Sequence, residues 1–268
     1  MAIFIDDHAC VDPRAEIAED VVIGPFSVVG PQARIGRGTR LMNNVTLMGH
    51  VELGPGNILY PNVVIGAEPQ DFSYKGTPTR VVIGSDNTFR EGVTVNRATD
   101  KESGVTRIGS HCYLMANCHV AHDCVLADHV MMANGTMLGG HVHIEERASL
   151  SGAVAVHHFG TIGRLAFVGG HTKIIQDVPP FMLVDGHPGR IRCINVVGLK
   201  RNLFTPLALN ALHEAHRLLF RAKVGLEQAR AILSQHGNLV EEAMELLDFV
   251  GEQQQGKHGR ARERLRAA

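Results

Sequence analysis

The chain is predicted to be mainly β, a solenoid of short stacked strands followed by a C-terminal α-helical region, and two periodic features carry that prediction. A large aliphatic residue recurs at every sixth position, and four places after each one sits a small residue. Of 26 such hexads between Ile5 and Val178, 24 open with Ile, Leu or Val, and 22 carry Ala, Ser, Thr, Val or Cys at the second site. A two-site repeat sustained over that length marks a hexapeptide-repeat solenoid.

The repeat runs in one phase through Ile5, Val11, Ile17, Ile23, Val29, Ile35, Leu41, Leu47, Leu53, Leu59 and Ile65, and resumes in that phase at Ile83, Phe89 and Val95. It then slips by one residue and continues unbroken from Ile108 to Ile174. A period of six fits neither an amphipathic helix nor a long strand. It fits a chain that turns after each short strand and always sends the same two side chains inward. Ile23-Gly24, Val29-Gly30, Ile35-Gly36 and Asn43-Asn44 supply permissive backbone at turns. Three hexads closing one triangular coil make about 18 residues, stacked about 4.8 Å from the next coil. The two interruptions then become excursion loops, at about 70–82 and 97–107, where binding residues tend to collect. The solenoid is assigned to 1–190.

Past Pro179-Pro180 the hexads stop, and 191–268 is assigned as a helical domain. Leu207, Leu212, Ala215, Leu218, Leu219 and Ala222 form an apolar stripe, and two further stripes run from Leu226 to Leu233 and from Leu239 to Phe249, separated near Gly225 and Gly237-Asn238. The last segment is a basic tail, with Lys257, Arg260, Arg262, Arg264 and Arg266 against Glu263, suited to an acidic partner.

A net charge of −1 over 268 residues argues against nucleic acid as a partner. No apolar run precedes the first hexad, so no secretory signal or membrane span is expected, and the reading is cytoplasmic. Cys112, Cys118 and Cys124 all fall on the small inward site, which reads as packing rather than as a disulfide or zinc framework.

The 16 histidines are the chemically telling feature. Stacking at 18 residues puts His122, Gly140 and His158 in one column and Asp123 with His141 in the next. His119 shares the rung of His122, and His157 adjoins His158. The period thus gathers these residues, pointing outward, within roughly 10 Å along the axis. Histidine suits general-base work near neutral pH, a neighbouring carboxylate holds its tautomer, and Gly140 offers an unobstructed N–H to an oxyanion.

His119-Val-Ala-His122-Asp123-Cys124, Gly139-Gly140-His141 and Val156-His157-His158-Phe159 closely resemble the UDP-N-acetylglucosamine O-acyltransferase family, which opens lipid A synthesis. Pro69-Gln70-Asp71, Gln176-Asp177-Val178-Pro179-Pro180 and Asn195-Val-Val-Gly198-Leu199-Lys200-Arg201 extend the likeness over nearly the whole chain. The resemblance implies a left-handed parallel β-helix, against the usual right-handed crossover. It implies transfer of an (R)-3-hydroxyacyl chain from acyl carrier protein to the sugar 3-hydroxyl. His122 would be the base, Asp123 its orienting partner and Gly140 the oxyanion donor, with no covalent intermediate. Asp71, His119 and His141 would line the sugar and acyl pocket, with His158 among the contacts. His157, Asn195 and Arg201 would face the nucleotide, and Lys200, Arg201 and the basic tail the carrier protein. Gly170 matches the acyl-chain ruler, where a small residue leaves the groove long. The family implies a homotrimer with sites between subunits, and no cofactor or metal beyond the phosphopantetheine on the carrier.

Three positions depart from the family pattern. Ser73 stands where Lys is common, with Lys75 two further on; His158 stands where Gln is common; Val197 stands where an acidic residue occurs. Three alternatives stay open. The His119/His122 pair also resembles zinc-binding γ-class carbonic anhydrases; a hexapeptide acyltransferase using acetyl- or succinyl-CoA and a catalytically silent relative are the others. The acyl length, and a 3-hydroxyl against a 3-amino acceptor, are not fixed by these residues.

Overall fold

The computed structural model describes residues 3–256; the basic tail beyond Gly256 lies outside them. Strands of two to five residues stack into three sheets, parallel except for the last strand of the largest, one to each side of a prism, with eleven, nine and eight strands. Equivalent residues pair at the predicted spacing of 18, as in Ile5 with Ile23 and Leu114 with Met132. Across the interruptions the step lengthens, and Leu59 pairs with Phe89 and Phe89 with Leu114. Both inward sites are buried in one continuous core, from Val21 and Ile23 to Ile174 and Val178. At the N-terminal end of the described solenoid Phe4 and Ile5 are exposed.

Both excursions leave at the same corner. Residues 68–79 join strand Val64–Ala67 of the nine-stranded sheet to Arg80–Ile83 of the eight-stranded sheet, and 97–104 join Thr94–Asn96 to Val105–Ile108 of the same two sheets. Each is shorter than the sequence suggests. Residues 80–82 and 105–107 are strand, because Arg80–Ile83 pairs along its whole length with Val105–Ile108 and with His50–Leu53.

Glycine acts here differently from the expectation. Asn44 does take a positive φ, 56°, but Gly24 and Gly36 do not. A Cβ on Gly36 would lie 2.5 Å from the Gly54 carbonyl carbon of the next coil, and one on Gly24 2.7 Å from the Met42 oxygen. These glycines permit close approach of backbones.

The two asparagines that break the small-residue rule also find their reason. Asn57 Nδ2 donates to the Gly54 and Gly84 carbonyls at 2.7 and 2.9 Å, and its Oδ1 accepts from Asn87 N at 3.0 Å. Asn87 repeats the pattern, donating to Gly109 O at 2.9 Å and accepting from Cys112 N at 2.7 Å. This buried ladder ties together the coils whose spacing the excursions lengthen. Burial pushes the Cys112 and Cys118 thiols up to about 11, and all five cysteines are free, in keeping with a packing role.

The winding ends in a hairpin, Met182–Asp185 with Arg190–Ile194 antiparallel, whose second strand straddles the expected boundary at 190. Among the described residues four helices follow instead of three: α1 (Val196–Arg201), α2 (Pro206–His216), α3 (Leu226–Gln235) and α4 (Glu241–Gln254). The short α1 has too few residues to show a period. Thr205 caps α2 with Pro206 at its first position, and α2 runs on into a π-turn over Arg217–Arg221. A second core of Leu165, Phe181, Leu199, Leu212, Leu233 and Leu246 welds helices to solenoid. Arg164 fastens the joint, donating to both Glu245 oxygens at 2.9 and 2.6 Å beneath the Phe181 ring. Among the described residues no helix is long and apolar enough to cross a membrane.

Asn87→Ala strands two buried backbone groups without opening a large void. It is expected to lower the free energy of unfolding by about 1–3 kcal/mol, read as an earlier urea midpoint. An unchanged midpoint would show that the ladder adds nothing.

Candidate active site

The corner that carries the excursions also carries the histidines. Residues 121–124, 139–142 and 157–160 are successive turns between the nine- and eight-stranded sheets. His141 N donates to His122 O at 3.0 Å and Phe159 N to Gly140 O at 2.9 Å, so the predicted columns are present. Asp123, His141 and Phe159 occupy the same left-handed position, with φ of 60°, 63° and 65°. Positive φ recurs throughout the solenoid corners, so it reflects the sharp turn and not the chemistry.

His122 Nδ1 lies 2.8 Å from Asp123 Oδ2, and Asp123 is 1 % exposed. The second excursion completes its shell: Thr99 donates to it from Oγ1 at 2.6 Å and from N at 3.1 Å. From the coil below, Thr106 Oγ1 accepts the Asp123 N–H at 2.9 Å. Burial alone would raise the Asp123 carboxyl; the hydrogen bonds from His122 and Thr99 and the charge of His141 outweigh it and hold the carboxyl below its ordinary range. An ionised Asp123 needs the proton on His122 Nδ1, which leaves Nε2 as the basic nitrogen.

Gly140 lies against that imidazole. A Cβ there would fall 2.5 Å from His122 Cε1 and 2.7 Å from Nε2; any side chain displaces the ring. The Gly140 N–H has no hydrogen-bond partner among the described residues. His119 Nδ1 lies 2.8 Å from Thr94 Oγ1, and its pKa is lowered by burial and by the nearby His122.

The rings form a chain, with centroids 5.1 Å apart from His122 to His141, 4.4 Å on to Phe159, 5.7 Å on to His158 and 3.7 Å on to His157. His141 departs from the outward exposure expected of the cluster. It is buried, stacked on Phe159, with Nδ1 3.3 Å from Glu102 Oε1 and Nε2 3.8 Å from Asp123 Oδ2. The reason is the second excursion, which folds over it. Asp71, on the first excursion, pairs with Lys101 on the second.

Thr99, Lys101, Glu102, Thr106 and Phe159 are the members sequence reasoning missed. The only signal for the first three was the place where the excursion leaves the repeat. His122, Asp123 and His141 each place a ligand-type atom within 4.8 Å of the others. His122 Nδ1 and Asp123 Oδ2 are already hydrogen-bonded to each other.

The remaining expected residues lie elsewhere on the prism. Asn195 caps α1, accepting from Gly198 N at 3.0 Å and donating to Leu165 O at 2.9 Å. It lines, with Arg201, Val197, Met131, Ser151 and Phe167, an apolar groove of about 530 Å³ on the eleven-stranded face. Lys200 is exposed on α1. Gly170 sits at the corner between the eleven- and nine-stranded sheets, where its Cβ would lie 3.7 Å from Ser151 Oγ. None of these four shares the histidine corner.

A carboxyl depressed in the folded chain contributes stability that is complete above its unfolded pKa and is lost as pH falls through the lower folded value. Asp123→Asn should therefore flatten the acid limb of the stability profile below about pH 4. An acid limb as steep as wild type would contradict the placement of Asp123.

Comparison with known proteins follows the same lines. Residues 177–258 match the family described as Udp N-acetylglucosamine O-acyltransferase, Domain 2, and 32–67 and 106–140 match the bacterial transferase hexapeptide (six repeats). An acyl-[acyl-carrier-protein]--UDP-N-acetylglucosamine O-acyltransferase of Halorhodospira halophila is 43 % identical over 94 % of this chain and 98 % of its own length. One from Synechocystis sp. is 49 % identical over 66 % of this chain, which spans 64 % of that relative. The crystal structure of a UDP-N-acetylglucosamine acyltransferase from Bacteroides fragilis superposes with a TM-score of 0.89 at 30 % identity, covering 92 % of this chain and 96 % of that one. By the length and identity of these matches, the chain belongs to the UDP-N-acetylglucosamine O-acyltransferase family.

Proposed function

We propose that this protein transfers an (R)-3-hydroxyacyl chain from acyl carrier protein to the 3-hydroxyl of UDP-N-acetylglucosamine, the first step of lipid A synthesis, with His122 as general base. The observation that carries the reading is the His122–Asp123 pair packed against a glycine with an unpartnered N–H. His122 Nε2 takes the proton from the sugar hydroxyl as its oxygen attacks the thioester carbonyl carbon. Asp123 holds the tautomer and stabilises the imidazolium. The Gly140 N–H meets the oxyanion of the tetrahedral intermediate. Collapse breaks the carbon–sulfur bond, and His122 returns its proton to the departing phosphopantetheine thiolate. Oxygen replaces sulfur on the acyl carbon directly, so neither a covalent acyl-enzyme nor a metal enters the step.

Asp71, His119, His141 and His158 line the acceptor side in this reading, and His157 with Asn195 and Arg201 meets the nucleotide. Asn195 and Arg201 line a groove on the eleven-stranded face, away from the corner of His122. One prism cannot close both on one ligand. A homotrimer, each copy presenting its groove to a neighbour's histidine corner, would join them, with Lys200 and Arg201 near the incoming carrier protein. The apolar lining of the groove suits an acyl chain, and Gly170, exposed at its edge, is the proposed ruler.

The test is acyl transfer to UDP-N-acetylglucosamine from a panel of (R)-3-hydroxyacyl carrier proteins, with wild type beside His122→Ala. Chain-length-selective transfer that falls about 10³-fold or more in the variant is expected, unaffected by a chelator. Absence of transfer from every donor, or recovery of a chelated enzyme only with zinc, would overturn the proposal.

A further inference from the structure

The excursion segment 99–102 touches the histidine corner at two points and the first excursion at a third. Thr99 donates to Asp123, Lys101 donates to Asp71, and Glu102 meets His141. Thr99 and Lys101 are two residues apart, so their Cα atoms lie within about 7 Å, and the Asp71 carboxylate is thereby tied to the same segment that holds Asp123. The first excursion is fastened to the second independently: Arg97 donates to Glu68 Oε1 at 2.9 Å and Tyr74 OH at 3.3 Å, and also to Gly66 O of the preceding strand at 3.0 Å.

The hydrogen bonds at Asp71 show what this mooring is for. Its Oδ1 accepts from both the N and the Oγ of Ser73, each at 2.8 Å, and its Oδ2 accepts from Lys101 Nζ. The Lys101 ammonium, followed by the Ser73 N–H, outweighs burial and holds the carboxyl well below the usual range. An ionised carboxylate offers about four acceptor positions. Three are filled, and a fourth remains for a hydroxyl donor. Lysine thus reaches Asp71 from the other excursion, and Ser73, which stands where the family pattern has a lysine, supplies two of its hydrogen bonds; among the described residues Lys75 forms no hydrogen bond with it.

We infer that Lys101 is a positioning residue for the acceptor sugar: it fixes the Asp71 side chain as a hydrogen-bond acceptor for a hydroxyl of the nucleotide sugar. The inference rests on the acyltransferase reading and deepens it. Lys101 is 41 % exposed at its side chain and Asp71 17 %, so the pair is open to an arriving ligand while contributing little to fold stability.

Calorimetric titration with UDP-N-acetylglucosamine, run beside steady-state kinetics, tests it. Lys101→Ala should weaken sugar binding and raise its KM by about tenfold, with kcat lowered less than about threefold. Lys101→Arg, which keeps the charge, should bind within about threefold of wild type. Thermal midpoints close to wild type for both variants would exclude unfolding as the cause. Sugar binding unchanged in Lys101→Ala, or an effect confined to the acyl donor, would overturn the inference and leave the acyltransferase reading standing. Failure of the wild type itself to bind the sugar would remove that reading and this inference with it.

Discussion

The return of the chain to the same corner after every coil is the constraint on which the rest of the structure depends. Parallel strands about 4.8 Å apart permit no drift, so a side chain at a corner meets the residue one coil on, and a column of function can be written at fixed sequence spacing. His122, Gly140 and His158 form one such column, and Asp123, His141 and Phe159 the next. The same constraint explains why Gly140 must be a glycine. With the coils this close, the space its Cβ would take is already filled by the His122 ring.

Rigidity of the prism sets what the excursions can add. A solenoid corner presents side chains from above and below, but it has no wall of its own. Residues 97–104 supply one. They bury Asp123 and His141, bring Thr99 and Glu102 to them, and bind the first excursion through Lys101 and Arg97. Burial strengthens each electrostatic contact there, and the depressed Asp123 carboxyl shows that the donors outweigh desolvation. The His122–Asp123 pair therefore stands on a solenoid corner, covered by a loop that carries its supporting bonds.

How much of this was legible in the sequence follows from where the period holds. The aliphatic sites named the core, and spacing of 18 named the histidine columns, because stacking turns sequence distance into spatial distance. The excursions follow no period, so Lys101 and Glu102 were invisible, and Thr99, four places after Val95, reads only as a small residue of the repeat with no sign of its bond to Asp123. Glycines after the aliphatic positions signalled turns, but Gly24 and Gly36 serve backbone approach instead. Asn57 and Asn87 looked like lapses in the repeat and are its ladder. Helix α1 was missed because six residues cannot show a helical period. The groove beside Asn195 and Arg201 belongs to a different face from the histidines, a separation no pattern along one chain could reveal.

That separation makes the account depend on a second copy, and subunit mixing addresses it most directly. His122→Ala lacks the proposed base and Arg201→Ala lacks the groove cation, so on this account each alone should be nearly inactive. If sites are shared between copies, unfolding and refolding the two variants together should generate assemblies in which some sites combine an intact His122 with an intact Arg201, and acyl transfer should return to a substantial fraction of wild type. Activity that stays at the level of the separate variants, in assemblies verified as mixed, would mean that each chain holds its own complete site and would contradict the account.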